Sequence, residues 1–412
     1  EIVEDAHGRA TALFDQVIAH GTVKEADLFI EAARTRKLAE MLPSLRTDQR
    51  ASLAQLMLDV PSLATTMAFL IDPKHDTPSL VFDQLAALHE ARPEQVARFT
   101  QLAAAVSVVH EKPFIRRINE NTTKAEDALE IFDFYVKHHR KMLFGVEDVP
   151  AELLIYVIDT TATIEEMEWA LRHYRGDRAI GKRFFDIKYD YDHYYHGKPK
   201  KVTQMGFNLP NIRQYGGVCA DQAYFAVAVG KSIGVPTAYT RGQSASVGHA
   251  WVGFFQARGR SGGWNFDYGR YEVYRGVEGE VRDPQTGQTL PDGFVSILAE
   301  LVGTDLADRA TAAAMTQAAV RIGELREADQ TLPALDQDYA GVRREPRTTS
   351  LDDQLTLLKA GLNESPGHAD GWLLVSALAK ADQLSLEQKK DWADTLDRMC
   401  GKSYPDFSLM IL

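Results

Sequence analysis

The chain has 412 residues, 45% of them hydrophobic and 25% charged, which is an ordinary composition for a folded protein of two or three domains. Its formal net charge of −12 argues against a nucleic-acid partner, because phosphate binding requires a basic surface. No stretch reaches the roughly 18 uninterrupted apolar residues of a membrane span, and two cysteines, Cys219 and Cys400, are too few for a disulfide scaffold.

The sequence starts at Glu1, without an initiating methionine. This start suggests a trimmed or mature chain from which a signal peptide has been removed. The composition fits the cytoplasm as well, but we expect a periplasmic or secreted location in preference to it.

Residues 1–175 predict a series of helices, because apolar residues recur at helical spacing between proline and glycine turn signals. Thr123 with Glu126 and Thr163 with Glu166 have the spacing of capping boxes. This α-helical N-terminal region serves either as a protein-interaction module or as a packing partner of the next domain.

Phe184 to Tyr191 alternates like a strand and leads into a loop rich in tyrosine and histidine. Tyr194 and Tyr195 in this loop are candidates for substrate contact, since a tyrosine offers a flat apolar face and a hydroxyl. His193 and His196 of the loop could be imagined as metal ligands together with Asp190 and Asp192. The His-x-x-His pair has no third or fourth ligand at a clear spacing, so we expect no metal site.

Cys219 follows a Gly-Gly turn and opens an amphipathic run in which Ala220, Ala223, Tyr224 and Val227 share one helical face. Gly234 and Pro236 end that helix. A thiol at a helix N-terminus has a lowered pKa, because the helix dipole and unpaired N–H groups favour the thiolate. The position therefore suits a nucleophile.

His249 opens a strand-like run, and Asp267 lies in a second run, Trp264 to Tyr268, on the side away from its apolar residues. An imidazole can take the proton of a thiol, and a carboxylate can orient that imidazole. Further strands are predicted at 237–240 and 271–277, with a flexible segment at 242–248 and a hairpin loop at 257–263. A helix followed by antiparallel strands predicts an α+β fold.

Residues 281–293 are rich in turn formers and predict a domain boundary. The following α-helical C-terminal region, 294–412, includes a proline-containing linker at 330–349. Residues 351–362 and 371–381 form a helix–turn–helix unit that is similar to one tetratricopeptide unit. Packing against the core is the expected role of this unit, rather than a peptide-binding groove.

Four short motifs follow one another in the chain: Gly-Val-Cys-Ala-Asp-Gln-Ala, Ile-Gly-Val-Pro-Thr, Gly-His-Ala-Trp-Val and Trp-Asn-Phe-Asp. With these motifs in this order, residues 176–280 resemble the transglutaminase-like superfamily of papain-like folds. Cys219 and His249 are 30 residues apart, and His249 and Asp267 are 18 apart, as is typical of the family. The local Gly-Gly-x-Cys-x-Asp pattern is also similar to arylamine N-acetyltransferases, although His-Ala-Trp and Gly-Val-Pro favour the transglutaminase-like branch.

The resemblance implies a catalytic domain at 176–285, in which a Cys-led helix packs on an antiparallel sheet between the two helical regions. Cys219 would be the nucleophile, His249 the base and Asp267 the orienting acid. The Cys219 N–H and Gln214 are oxyanion candidates, and Trp251 is a further candidate for substrate contact. The sequence departs from the family after Asp267, where Tyr-Gly-Arg replaces the usual Pro or Thr.

The implied activity is cysteine-dependent acyl transfer on amide bonds of a peptide or protein, either as a protease or amidase or as an amine cross-linker. This chemistry needs no cofactor, and we identify no carboxylate-rich loop for the calcium that some animal relatives use. The alternative is a non-catalytic interaction or peptide-binding module on the same fold, with a protein partner bound through the helical regions.

Overall fold

The computed structural model describes residues 2–244, 247–258, 261–332 and 347–412. The fold is α+β, mostly helical, with a curled antiparallel sheet. The strands are β1 (Ile115–Ile118), β2 (Asn121–Lys124), β3 (Thr237–Gln243), β4 (Gly248–Arg258), β5 (Ser261–Asn265), β6 (Glu280–Arg282) and β7 (Thr289–Pro291).

The helices in chain order are α1 (Ile2–His20), α2 (Ala26–Met41), α3 (Thr47–Asp59), α4 (Pro61–Leu70), α5 (Pro78–Ala91), α6 (Pro93–Arg98), α7 (Thr100–Val109), α8 (Ala128–His138), α9 (Ala151–Ile158), α10 (Ile164–Tyr174), α11 (Tyr191–His196), α12 (Lys201–Met205), α13 (Leu209–Tyr215), α14 (Cys219–Ser232), α15 (Asp292–Ser296), α16 (Leu306–Glu327), α17 (Leu351–Glu364), α18 (Ala369–Lys380), α19 (Leu386–Leu396) and α20 (Pro405–Ile411). Short 3-10 helices occupy Leu42–Ser44, His139–Lys141, Ile180–Asp186, Glu272–Tyr274 and Ile297–Gly303, and Asp397–Gly401 is a π-helix.

The chain forms two compact units, one of Glu1–Ile71 with Glu300–Leu412 and the other of Asp72–Ala299. The units do not coincide with the predicted boundaries, because α5–α10 belong to the same unit as Cys219. The predicted boundary at 281–293 contains the β6–β7 hairpin, which extends the main sheet. Most of the predicted linker, 333–346, lies outside the described residues.

The unit of 1–71 and 300–412 is helical. Phe14 and Ile18 of α1 are fully buried, as their spacing predicts, and the Arg321 guanidinium of α16 forms two 2.9 Å bonds to the Asp15 carboxylate. The predicted helix–turn–helix forms as α17 and α18. Within the described ranges no single helix is long and apolar enough to cross a membrane; only α3 and α4 counted together qualify, and they are bent by 114°.

The unit of 72–299 holds a five-stranded antiparallel sheet in the order β5-β4-β3-β6-β7 and the separate β1–β2 hairpin. Helix α14 packs on this sheet, with Ala223, Ala226 and Val227 against Ala250 and Val252 of β4. The predicted Cys-led helix and the strands at 237–240 and 249–255 are thereby confirmed.

The tyrosine-rich segment is not the predicted loop, since Tyr191–His196 form α11, and three other local predictions are wrong. Phe184 to Tyr191 is not a strand: the 3-10 helix and the start of α11 occupy it, because Ile180, Phe184 and Ile187 are buried at intervals of three to four rather than two. Tyr271 to Val277 is not a strand either, since only Tyr274 is buried there.

The third error concerns the capping box at Thr123. Thr123 lies in β2, where its hydroxyl is 2.6 Å from the hydroxyl of Thr161, and α8 starts later, at Ala128. The capping box of Thr163 and Glu166 is confirmed at the start of α10.

Candidate active site

Cys219 is the first residue of α14, and two glycines are needed to bring the chain into that position. Gly216 has a φ of +80°, and a Cβ there would lie 2.3 Å from the Lys188 carbonyl oxygen. A Cβ on Gly217 would lie 2.5 Å from the Asp221 side chain. The Gly-Gly turn therefore fits the chain closely between the preceding segment and the helix.

A buried ion pair fixes the same turn from inside. Lys200 Nζ donates to both carboxylate oxygens of Asp221, at 2.8 and 2.7 Å, and both side chains are fully buried. The Asp221 carboxylate also accepts the Val218 N–H at 2.8 Å, on the residue before Cys219. Lys200 and Asp221 are therefore positioning residues for the thiol, and sequence reasoning missed Lys200 because it is 19 residues away from Cys219 in the chain.

The Cys219 thiol is free and half-buried. Burial raises its pKa, and the Asp221 carboxylate acts in the same direction. Hydrogen bonds from the backbone N–H groups of Ala250, Ala220 and Cys219 itself act the other way, since they favour the thiolate. The net direction is upward, so the resting group is a protonated thiol and not the thiolate expected from the helix terminus alone.

His249 lies at the start of β4 and is held by a main-chain acceptor. Its Nε2 is 2.6 Å from the Gly269 carbonyl oxygen, and a carbonyl only accepts, so Nε2 carries the proton. The ring stacks on Tyr271 at 4.6 Å between centroids and lies 4.8 Å from Tyr274. Burial lowers the pKa of the imidazole, against the effect of the Gly269 bond. The neutral ring therefore has Nδ1 as its basic atom.

Among the described residues, Asp267 forms no hydrogen bond or ion pair with His249. Phe254 pairs with Asn265, so an uninterrupted ladder would place Asp267 opposite Val252. Instead the Val252 N–H bonds to the Tyr268 carbonyl at 3.3 Å, which adds one residue to the chain after β5, as in a β-bulge. Tyr268 packs against the core of the sheet, and Asp267 is exposed.

The turn after β5 explains how the Gly269 carbonyl meets the imidazole. The Asn265 side chain accepts the Asp267 N–H at 3.0 Å, which bends the chain out of the strand. Gly269 then adopts a φ of +81°, a conformation that favours glycine. Its carbonyl, two residues beyond Asp267, reaches the imidazole.

Cys219 lies near the start of β4, where His249 is located. Among the described residues, no hydrogen bond joins the two side chains. The N–H of Ala250, next to His249, donates to the sulfur. Successive side chains of a strand point to opposite faces of the sheet, so the side chains of His249 and Ala250 lie on opposite faces of β4. Tyr271 contacts the imidazole. Burial is the main cause that raises the pKa of Tyr271, and the charge of Cys219 raises it further.

The tyrosine segment lies beside the thiol turn, as the sequence suggests. Tyr189 bridges to Gly217, and the Asp190 N–H bonds to the Gly217 carbonyl at 2.9 Å. Tyr194 and Tyr195 are 51% and 68% exposed. With Tyr189 and Tyr191 they form the tyrosine cluster, in which neighbouring ring centroids are 5.0 to 5.9 Å apart.

The remaining candidates differ in accessibility. Gln214 is exposed in the last turn of α13 and has no hydrogen bond to the thiol turn in the part of the chain that the structure describes. Trp251 is fully buried, with the Arg270 guanidinium 5.2 Å from its ring, so it supports the core rather than meeting a substrate. Sequence reasoning missed Tyr189, Tyr271 and Gly269.

The Nδ1–H of His193 donates to the Lys198 carbonyl at 2.8 Å. Over the described ranges no group of three or more His, Cys, Asp or Glu side chains could hold a metal ion. The groups that lie around the thiol turn are a thiol, an imidazole, phenols and backbone N–H groups.

Comparison with protein-family models, with curated proteins and with solved structures finds no match to this chain.

Proposed function

We propose that this protein is a transglutaminase-like cysteine enzyme that transfers the acyl group of a peptide or protein amide through Cys219, on a papain-like core. The observation that carries the proposal is the half-buried thiol on the first turn of a packed helix, with backbone N–H groups of Ala220 and Ala250 directed at its sulfur. A thiol used only for packing needs neither the helix terminus nor those donors.

In the proposed reaction His249 Nδ1 takes the thiol proton, and the sulfur attacks the carbonyl carbon of the amide. The Cys219 N–H is the natural donor to the oxyanion of the tetrahedral intermediate. When the C–N bond breaks, the imidazolium returns its proton to the amine, and a thioester remains. Water or a second amine then attacks the thioester and frees the thiol.

Proton transfer requires the imidazole to approach the sulfur more closely than in the resting state. Catalytic hydrogen bonds in ligand-free enzymes are often long and tighten in the substrate complex. We assign the positioning of His249 to the Gly269 carbonyl, which selects the tautomer with a free Nδ1. A carbonyl stabilises the imidazolium less than a carboxylate does, so the pair is a weaker base catalyst than a full triad.

The exposed tyrosine cluster supports a peptide substrate for this site. Aromatic faces bind extended chains and prolyl or aromatic side chains, and phenol hydroxyls bind backbone groups. The cluster borders the Gly217 turn directly, so a segment lying on it would end next to the thiol.

The second candidate is a peptide-binding module without turnover. The raised pKa of Cys219 and the exposed position of Asp267 favour it, since neither suits an activated triad. Both candidates share the tyrosine cluster as the binding surface, so binding alone does not separate them.

Thiol reactivity separates the two candidates. We expect iodoacetamide at pH 6 to alkylate Cys219 faster than the buried Cys400, whose pKa burial raises to about 12. Because exposure alone also favours Cys219, the decisive comparison is His249→Ala, which should slow the labelling of Cys219 at least about tenfold. His196→Ala, which removes an exposed histidine of α11, should leave the rate unchanged.

Turnover is then tested by screening peptide cleavage and amine incorporation with wild type and Cys219→Ala. Product from wild type alone supports the enzyme, and its identity tells hydrolysis from transamidation. Equal labelling of Cys219 in wild type and His249→Ala, with no product in either assay, would favour the binding module. Asp267→Asn should retain activity under our assignment of Gly269, and its inactivation would return Asp267 to the orienting role.

A further inference from the structure

A cavity of about 660 Å³ lies in the unit of 72–299, between the β1–β2 hairpin, strand β3 and the second half of α14. This volume falls within the usual range for sites that bind small ligands. The cavity lining is positively charged, although the protein as a whole has a formal net charge of −12.

Five cationic side chains line the cavity: Arg116, Arg117, Arg241, Arg282 and Lys231. Asp159 is the single carboxylate among the described lining residues, so the lining carries a formal charge of +4. The Asp159 carboxylate already binds Arg116 Nη2 at 2.7 Å and the buried Lys231 ammonium. It therefore has no capacity to neutralise the other three arginines.

Those three arginines have weak partners or none. Arg241 Nη2 is 4.0 Å from the Glu280 carboxylate, and both side chains are more than half exposed, a contact of little energy. Arg117 donates to the Asn119 carbonyl, and within the described ranges neither Arg117 nor Arg282 pairs with a carboxylate. Unpaired arginines around a concave surface raise its affinity for anions.

Tyr224 of α14 also lines the cavity, but its hydroxyl is enclosed beside the hydroxyls of Thr123 and Thr161, which bond to each other at 2.6 Å. The charge of the arginines, rather than this hydroxyl, therefore favours the binding of a ligand.

We propose that this cavity binds a small ligand with an anionic group, a carboxylate or a phosphate, held by Arg117, Arg241 and Arg282. The site goes beyond the proposed acyl transfer and does not require the Cys219 chemistry.

Calorimetric titration of the full chain at low salt tests the proposal with three probes: acetyl-Glu-Glu-amide, inorganic phosphate, and the neutral acetyl-Gln-Gln-amide. We expect one-to-one binding of at least one anionic probe and none of the neutral peptide. Whichever anion binds more tightly identifies carboxylate or phosphate as the preferred group. The affinity should fall as salt is added, because rim charges are screened.

Arg117→Gln and Arg282→Gln should each weaken the binding of that probe about tenfold, the loss expected from one charge-assisted contact. Arg140→Gln, which removes an exposed arginine of the same unit outside the cavity, should leave binding unchanged, and so should Cys219→Ala. Failure of both anions to bind at millimolar concentration, or equal binding by the cavity and control variants, would overturn the proposal. Loss of turnover with intact probe binding would count against the acyl-transfer proposal alone.

Discussion

Replacement of Lys200 by Met tests whether the buried pair with Asp221 holds the thiol turn. Methionine keeps the apolar stem but removes the ammonium, which donates to both Asp221 oxygens at 2.8 and 2.7 Å. Both side chains are fully buried, so no water can replace the lost donor. The Asp221 carboxylate would then keep only the Val218 N–H.

Removal of one partner of a buried ion pair typically costs about 3–5 kcal/mol, because the other charge is left uncompensated. We expect a loss of this size in the free energy of unfolding of the unit of 72–299. Lys198→Met is the matched control: Lys198 is 60% exposed and pairs with the exposed Asp192, so its loss should cost less than about 1 kcal/mol.

The penalty should also depend on pH. Burial raises the pKa of Asp221 above 3.8, and loss of Lys200 removes the main opposing charge, so the variant's pKa rises further. The folded state then binds more protons than the unfolded state between the unfolded and folded pKa values. The stability penalty of Lys200→Met is therefore smallest at low pH and grows as pH rises through the folded pKa of Asp221.

Pulsed hydrogen exchange in a denaturant series, read on peptides from α14, measures the stability of this unit separately from the other. A penalty below about 1 kcal/mol that does not change with pH would refute the reasoning, since it would mean that water or a local rearrangement satisfies Asp221.

Gly269→Ala should destabilise the unit of 72–299 by more than Gly176→Ala does, and it should slow the labelling of Cys219. Both glycines have a positive φ, but only a Cβ at position 269 would meet a neighbour, the Phe184 ring at 2.8 Å. Equal effects of the two changes would contradict this reasoning. The lowered pKa of His249 should keep the base neutral at neutral pH, so kcat/KM should fall only as pH drops below 6.5, and a fall that begins above pH 7 would count against it as the base. Tyr194→Ala with Tyr195→Ala should raise KM at unchanged Tm, since both rings are more than half exposed, while Leu386→Ala, at an exposed residue of the other unit, should change neither value.

Much of the local structure could be predicted because its signals are close in sequence. The Gly-Gly turn, the apolar face after Cys219 and the stop at Gly234 are sufficient to define α14. The 3-10 helix that contains Phe184 could not be predicted, because a burial spacing of three to four residues and a spacing of two look alike over eight residues. The unit boundaries depend on which helices pack together, which no single segment reveals.

The sequence by itself determined that a cysteine opens a packed helix beside a tyrosine-rich segment, and that His249 begins the adjacent strand. Tertiary structure decided the rest of the site. One added residue after β5 turns Asp267 to solvent and brings the Gly269 carbonyl to the imidazole, and Lys200 reaches Asp221 from a separate segment. The physical reason is that strand register and buried charge pairing depend on groups distant in the chain, whereas helix ends and turns depend on their immediate neighbours.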